Sequence, residues 1–378
     1  MNRLLSVLGM TLPLSVSTFL FPLILVLWLG QKGAPAWVIS LNSTSSGLAL
    51  LLTIFVMPGV LRRWPTWVVM AAGSVIAALS IGAVALWPVL AVMLLARFIY
   101  GVGFTLNWGA GESWINVRCE KAILGRALGA YMVIWYLPMP LAPIILSWFS
   151  AQADVLLWLI AGLLLISPLV LWPLRKDPAL SADNPVVHWR SWQLAPMPVV
   201  AGFLSGGLEG ARGILVPVYL ARLNWPEAMV LQGVFWLAIG GLAFNIISGW
   251  LADRLRPERV LLALAALGMA VAIFMGWYLL QPTPLKAGWV AGFILLGGCL
   301  NTVYSLASGA VGRYVPASDR LEANSILMLT YTLGMLTLPL PGGVALDCFG
   351  PAAFMPMLAG AFAVLLAVVI KLRIHAGL

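Results

Sequence analysis

Apolar residues run through this chain in long blocks that short polar or basic segments separate. A helix needs about 20 mostly apolar residues to cross the hydrocarbon core of a membrane. Twelve blocks reach that length, near residues 4–29, 37–61, 66–86, 89–116, 126–149, 154–174, 194–221, 227–251, 259–280, 287–311, 321–345 and 351–371. The pattern predicts an all-α membrane protein with twelve transmembrane helices.

The composition supports the same class and excludes a soluble domain. Of 378 residues, 62% are hydrophobic and 9% are charged, and the mean hydropathy is +1.02. The 18 tryptophans fit a membrane protein, because indole rings collect at membrane interfaces. The first block has no basic leader beyond Arg3 and no small-residue cleavage site, so we expect an uncleaved first helix. The three cysteines, Cys119, Cys299 and Cys348, indicate no disulfide framework.

The net charge of +9 reports orientation. If the N-terminus is cytoplasmic, sixteen lysines and arginines fall on the cytoplasmic side, and only Lys32, Arg222 and Lys286 fall on the other. Cytoplasmic loops of membrane proteins carry such an excess. The pattern predicts a multi-pass protein with both termini in the cytoplasm, and it argues against a nucleic-acid partner.

An internal repeat divides the chain into halves. A shift of 195 positions places Pro22 on Pro217, and a shift of 196 places Met139 on Met335. Such self-similarity indicates that the same arrangement of helices occurs twice in the chain. We expect an N-terminal six-helix bundle at 1–174, a cytoplasmic linker at 175–192 and a C-terminal six-helix bundle at 193–378.

Four charged residues fall inside apolar spans. Arg97 and Glu112 share the fourth span, roughly 60° apart around a helix and about 22 Å apart along it, so they would line one polar face at two depths. Glu209 and Arg212 lie three residues apart in the seventh span, among five glycines. Charges inside a membrane normally face a cavity or a partner. These four residues are candidates for coupling transport to protons. For Glu209 and Arg212 the alternative is an ion pair that only holds the seventh helix against a neighbour. The glycines predict a bend or an unwound turn in the seventh helix.

Polar and aromatic residues inside other spans are candidates for a substrate cavity. They would suit amphipathic or aromatic molecules, although tryptophans also serve as interface anchors or core residues. The candidates are Asn42, Asn107, Trp108, Tyr136, Trp236, Asn301, Tyr304 and Tyr331.

Several motifs resemble those of the major facilitator superfamily. Arg97 followed by Gly101 and Gly103 is similar to its helix 4 motif. The segment GRALGAY at Gly125–Tyr131 and the loop GWLADRLRPER at Gly249–Arg259 resemble its helix 5 start and its signature loop. The sister loop PGVLRRWP lacks the aspartate of that signature. The resemblance implies two pseudo-symmetric six-helix bundles, alternating access around a central site, and a cytoplasmic gate at Asp253, Arg254 and Arg126.

A narrower likeness points to the YcaD-like group of bacterial members. It rests on the pair Glu112-Ser113, on GRALGAY and on the stretch LTYTLG at Leu329–Gly334. The group implies the bacterial inner membrane but supplies no substrate.

Proton coupling is the hypothesis that the charged residues favour, with a uniporter or another coupling ion as the alternatives. Both histidines, His188 and His375, lie in predicted cytoplasmic segments, so an intramembrane proton carrier would be Glu112 or Glu209. A carboxylate whose distance to a guanidinium changes between two conformations can load and release a proton. Arg97 would either bind carbonyls of the first helix or, as in the superfamily's proton antiporters, control protonation of a neighbour.

Other functions remain alternatives at this stage. An importer of copper or of a metal chelate is one alternative, because the methionine pairs Met132/Met139 and Met328/Met335, with Cys299, could suit Cu(I). Methionine commonly fills gaps in apolar packing, however, so we predict no metal site. A membrane sensor or assembly scaffold would need a recruiting domain, and an enzyme would need a convergent catalytic set, neither of which the sequence shows. We expect a monomeric secondary transporter of a small organic solute, without a cofactor, its direction open and drug-like efflux preferred.

Overall fold

The computed structural model describes residues 2–149, 152–179, 196–281, 285–315 and 320–375, and these form helices and short connections. The helices of the first half are α1 (Asn2–Gln31), α2 (Ala36–Arg63), α3 (Thr66–Leu86), α4 (Leu90–Arg118), α5 (Lys121–Tyr136), α6 (Pro138–Trp148) and α7 (Ala153–Ile166), which continues as a 3-10 helix (Ser167–Leu174). Most of the predicted linker, including His188, lies outside the described residues.

The second half repeats this order of helices. It contains α8 (Pro196–Arg222), α9 (Glu227–Arg254), α10 (Pro257–Tyr278), α11 (Lys286–Tyr314), α12 (Arg320–Thr337), α13 (Pro339–Phe349), a 3-10 helix (Pro351–Ala353) and α14 (Phe354–His375). Corresponding elements have nearly the same length: α2 and α9 have 28 residues each, and α4 and α11 have 29 each.

The prediction of twelve transmembrane helices is confirmed. The described residues contain twelve helical stretches that are long and apolar enough to cross a membrane. Their limits agree with the sequence pattern to within a few residues; the third, Thr66–Leu86, coincides with the predicted block. Apolar length therefore determined these elements.

The fifth and the eleventh span are each built from two helices. α5 and α6 meet at Leu137, and α12 and α13 meet at Leu338; both second helices begin with a proline, Pro138 and Pro339. Proline has no N–H for the preceding turn and its ring crowds that turn, but it suits the first position of a new helix. Each half thus interrupts its fifth span with a proline, at positions that the 196-residue shift of the repeat places about five residues apart.

Contacts divide the chain into two compact units. The first unit comprises Met1–Leu25 and Ser45–Asn184, and the second comprises Val26–Thr44 and Pro185–Leu378. The division falls within the predicted linker at one point, and it also assigns the α1–α2 turn and the start of α2 to the second unit.

Glycines allow helix backbones to touch inside each unit. A Cβ on Gly206 of α8 would lie 1.8 Å from the carbonyl oxygen of Tyr331 on α12, and a Cβ on Gly334 would lie 1.8 Å from the carbonyl oxygen of Phe203. Close pairs of this kind also join α3 to α4 and α9 to α11. Small residues permit such approach in membranes. α8 is helical throughout, so the predicted unwound turn is wrong: the glycines serve packing.

Candidate transport site

A charged cluster lies in the second unit, where α8, α11 and α12 come together. Glu209 accepts a hydrogen bond from the hydroxyl of Tyr331 at 2.7 Å on Oε2, and its Oε1 lies 3.6 Å from Nη2 of Arg212. The ring of Tyr304 packs edge-on against Tyr331, with centroids 4.9 Å apart. The structure therefore brings together four predicted site residues from three helices. The Glu209 side chain is 26% exposed, so these contacts do not enclose it completely.

Amide side chains lie along α9 and α11 in the same unit. Asn301 donates to the carbonyl of Gly297 at 2.9 Å, on its own helix. Asn245 of α9 accepts a hydrogen bond from Ser305 of α11 at 2.9 Å. The sequence analysis missed this second pair, because its only signal is two small polar residues inside apolar spans. Trp236 is half-buried and packs edge-on against Phe235.

Arg97 is enclosed in the first unit beneath two aromatic rings. Its guanidinium carbon lies 5.5 Å from the ring centroid of Phe21 and 5.4 Å from that of Tyr100. The residue is 5% exposed, and its Nε and Nη1 atoms are buried without a hydrogen-bond partner. Among the described residues no carbonyl of α1 and no carboxylate binds it, so the predicted hydrogen bonds to the first helix are not formed, and control of a neighbour's protonation stays a prediction.

Glu112 lies further along α4 and is half-buried. Within the described ranges its carboxylate forms no ion pair. Arg118 donates instead to the carbonyl of Pro178 at 3.3 Å, and Arg126 is exposed. The structure therefore does not pair Glu112 with Arg118 or with Arg126, the two arginines that follow it along the chain.

The remaining cavity candidates of the first half differ in their surroundings. Asn42 and Asn107 are buried, and the Nδ2 atom of each has no hydrogen-bond partner. Trp108 stacks on Phe104 with centroids 5.8 Å apart. Tyr136 is 37% exposed.

Two side chains of the predicted gate are described, those of Arg126 and Arg254, and both are exposed. Arg254 is exposed and stacks on Trp250 of its own helix, 3.8 Å from the ring centroid. The side chain of Asp253 lies outside the described residues.

A buried carboxylate that sequence analysis missed lies in the first unit. Asp177 accepts a hydrogen bond from Nε1 of Trp114 at 2.9 Å and pairs with Arg3 at 2.8 Å.

A second carboxylate missed by the sequence analysis caps a helix. Asp347 of α13 accepts hydrogen bonds from the backbone N–H groups of Ala36 and Trp37, each at 2.9 Å, at the start of α2. It also pairs with Arg222 of α8, which donates to the carbonyl of Leu346 at 2.6 Å. The first N–H groups of a helix lack partners within the helix and attract anions. Because the partners are about 310 residues apart, no local pattern could have revealed this clamp.

In the described part of the chain no three histidine, cysteine, aspartate or glutamate side chains come close enough to hold a metal ion. Cys299 is fully buried in apolar surroundings.

Similarity to known proteins agrees with the fold. The family model of the Major Facilitator Superfamily matches residues 5–291 and 199–376. An uncharacterised transporter of that superfamily, YcaD of Escherichia coli (strain K12 / DH10B), is 26% identical over 340 residues, which cover 87% of this chain and 84% of the relative. The solved structure of the nucleoside transporter NupG superposes with a TM-score of 0.79 at 16% identity, covering 98% of this chain and 99% of that one.

A bacterial homologue of the human lysosomal transporter Spinster, in an inward-facing and unoccupied state, gives a TM-score of 0.75 at 14% identity, with 99% and 95% coverage. At these identities the solved structures support the fold alone. The family model covers most of the sequence, and both the expected fold class and the resemblance to the YcaD-like group are confirmed. The chain belongs to the major facilitator superfamily of membrane transporters.

Proposed function

We propose that the protein is a proton-coupled secondary transporter of a small organic solute, and that Glu209 is its proton carrier. The observation that carries the proposal is the environment of that carboxylate. One oxygen accepts from Tyr331 and the other faces Arg212, so two side chains that can rotate away stabilise the charged form.

The surroundings of Glu209 decide whether its carboxylate can stay charged inside the membrane. With both partners in place the carboxylate is favourable; without them a charge in hydrocarbon costs several kcal/mol, and binding a proton removes that cost. Rotation of Tyr331 or Arg212 would therefore be linked to proton uptake. Glu112, which has no comparable partner among the described residues, is the second candidate.

The membrane setting follows from the charge distribution and the family. We propose a bacterial inner-membrane protein with both termini in the cytoplasm that works as a monomer by alternating access. The preferred hypothesis is efflux of drug-like molecules. The superfamily arrangement places substrate sites near the midplane, and the cluster at Glu209 lies near the middle of α8.

Carboxyl infrared difference spectroscopy of the purified protein, titrated from about pH 4, the ordinary pKa range of carboxyl groups, up to about pH 9, tests this directly. We expect a carboxyl band that appears on acidification, vanishes in Glu209→Gln and shifts in Tyr331→Phe. Glu120→Gln is the matched control, because Glu120 is exposed in the turn between α4 and α5. A band that persists in Glu209→Gln and vanishes in Glu112→Gln would move the role to Glu112.

Transport coupling needs a second measurement. Proteoliposomes loaded with a pH-sensitive dye should show solute-dependent proton movement in the wild type and none in Glu209→Gln. Solute movement that is indifferent to an imposed pH gradient would refute proton coupling, and a uniporter or a different coupling ion would then replace it.

A further inference from the structure

Aromatic rings follow one face of α4 in the first unit. Tyr100, Phe104 and Trp108 are spaced by four residues, a spacing that stacks side chains along a helix. Successive ring centroids are 6.5 and 5.8 Å apart, with planes inclined by 21° and 14°. Trp135 of α5 closes against Phe104 and Trp108 at 5.5 and 5.9 Å. We call these four residues the aromatic ladder.

Two side chains on this part of α4 carry hydrogen-bond donors without partners, Arg97 and the ladder residue Trp108. Arg97 comes one turn before Tyr100, and its Nε and Nη1 atoms are buried and unbonded. Nε1 of Trp108 is also buried and unbonded. The two residues are eleven positions apart, about 16 Å along the helix. The hydroxyl of Tyr100, by contrast, is engaged by Ser17 and Thr18, each at 2.8 Å.

The ladder and Arg97 face the interior of the unit. At about 100° per residue, Phe104 and Trp108 point within about 20° of Arg97, whereas Leu95 and Ile99 point about 160° away from it. Leu95 and Ile99 are 60% and 38% exposed, as lipid-facing residues of a membrane helix would be. Phe104 and Trp108 are nevertheless only half-buried, so part of each side chain stays uncovered by the rest of the unit.

The charge of Arg97 is what gives the face a chemical preference. In the second unit Arg212 and Arg222 each have a carboxylate, but in the described structure no acidic side chain reaches Arg97. Two aromatic rings attract the cation without accepting its N–H hydrogen bonds. A carboxylate, sulfonate or phosphate group would accept them with charge-assisted geometry.

We propose that this face is the part of the substrate site that selects amphipathic organic anions: a flat apolar body stacks on the aromatic ladder and its anionic group binds Arg97. The inference rests on the proposed transport function, whose substrate class it specifies. It assigns Arg97 to anion recognition, and leaves proton transfer to Glu209.

Binding to the purified full-length protein tests the assignment. The probes are 2-naphthoate and 2-naphthamide, which share a ring system and differ in charge. Isothermal titration calorimetry should give at least about tenfold tighter binding of the acid, since a hydrogen-bonded ion pair exceeds a neutral contact by that order. Arg97→Gln should bring the acid to the level of the amide, and Arg97→Lys should retain part of the preference. Arg63→Gln, at an exposed helix end, should leave it unchanged.

Equal binding of the two probes by the wild type, or binding of neither, would overturn the proposal even if Arg97→Gln fails to fold. An acid preference that survives in well-folded Arg97→Gln would overturn it as well. No pH gradient enters these measurements, so Glu209→Gln should keep the preference for the acid. Failure of proton coupling and failure of anion recognition are thereby distinguishable.

Discussion

Replacing Gly206 by alanine probes the contact between α8 and α12 that positions the candidate proton carrier. The new Cβ would lie 1.8 Å from the carbonyl oxygen of Tyr331 and 3.0 Å from the backbone nitrogen of Met335. These are backbone atoms, so no side chain can rotate to make room. Reaching even the tightest contacts that real Cβ atoms make, near 3.0 Å, requires one helix to shift by at least about 1.2 Å.

Overpacking of this kind costs about 1–3 kcal/mol, while glycine to alanine in a helix gains at most about 1 kcal/mol. We expect Gly206→Ala to lower the thermal midpoint in detergent by a few degrees. Because Tyr331 would move with α12, its 2.7 Å hydrogen bond to Glu209 should weaken, and the carboxyl infrared band should shift.

Gly213→Ala on the same helix is the matched control, since a Cβ there meets nothing within 4 Å. It should leave the midpoint unchanged or raise it through the helix propensity of alanine. If Gly206→Ala melts at or above Gly213→Ala, α8 and α12 are not in backbone contact, and the reasoning is refuted.

Two further expectations concern the carboxylates that sequence analysis missed. Asp347→Ala should destabilise the protein by about 1–2 kcal/mol, the usual cost of losing a helix cap, and Asp347→Asn should have an intermediate effect. Thermal unfolding measures the loss, with Asp154→Ala at an exposed position as the control, and an unchanged midpoint for Asp347→Ala would contradict the expectation. Trp114→Phe removes the 2.9 Å hydrogen bond to Asp177 and should speed tryptic cleavage after Lys176; equal cleavage rates in mutant and wild type would show that the bond does not hold this segment.

The spans could be predicted from the sequence because membrane insertion depends on apolar length, which is local. The interruption of two spans was also encoded locally, in Pro138 and Pro339. The shift of 196 positions, however, places Pro143 rather than Pro138 on Pro339. The ion pair of Glu209 and Arg212 followed from helical spacing alone.

What depends on contacts between distant segments could not be predicted. Tyr331 was a cavity candidate, yet nothing in the sequence paired its hydroxyl with Glu209, 122 residues earlier. The clamp at Asp347 has the same cause, since its partners are backbone N–H groups that every helix start possesses. The glycines on α8 were interpreted as a bend or an unwound turn, because the sequence shows which residues lack a Cβ but not which backbone lies opposite them.

The contact at Gly206 and Gly334 also bears on how fast the proposed proton carrier, Glu209, can exchange its proton. Each glycine directs its Cα–H towards a carbonyl oxygen of the facing helix, a weak hydrogen bond that needs no side chain. α8 and α12 would therefore travel as one rigid piece, carrying Glu209 and Tyr331 together. Release of the carboxylate then requires the side chain of Tyr331 to rotate about its Cα–Cβ bond or that of Arg212 to move away, and side-chain rotations are fast beside the microsecond-to-millisecond displacement of helices. Proton exchange would reach equilibrium within each conformation, and turnover would follow the helices.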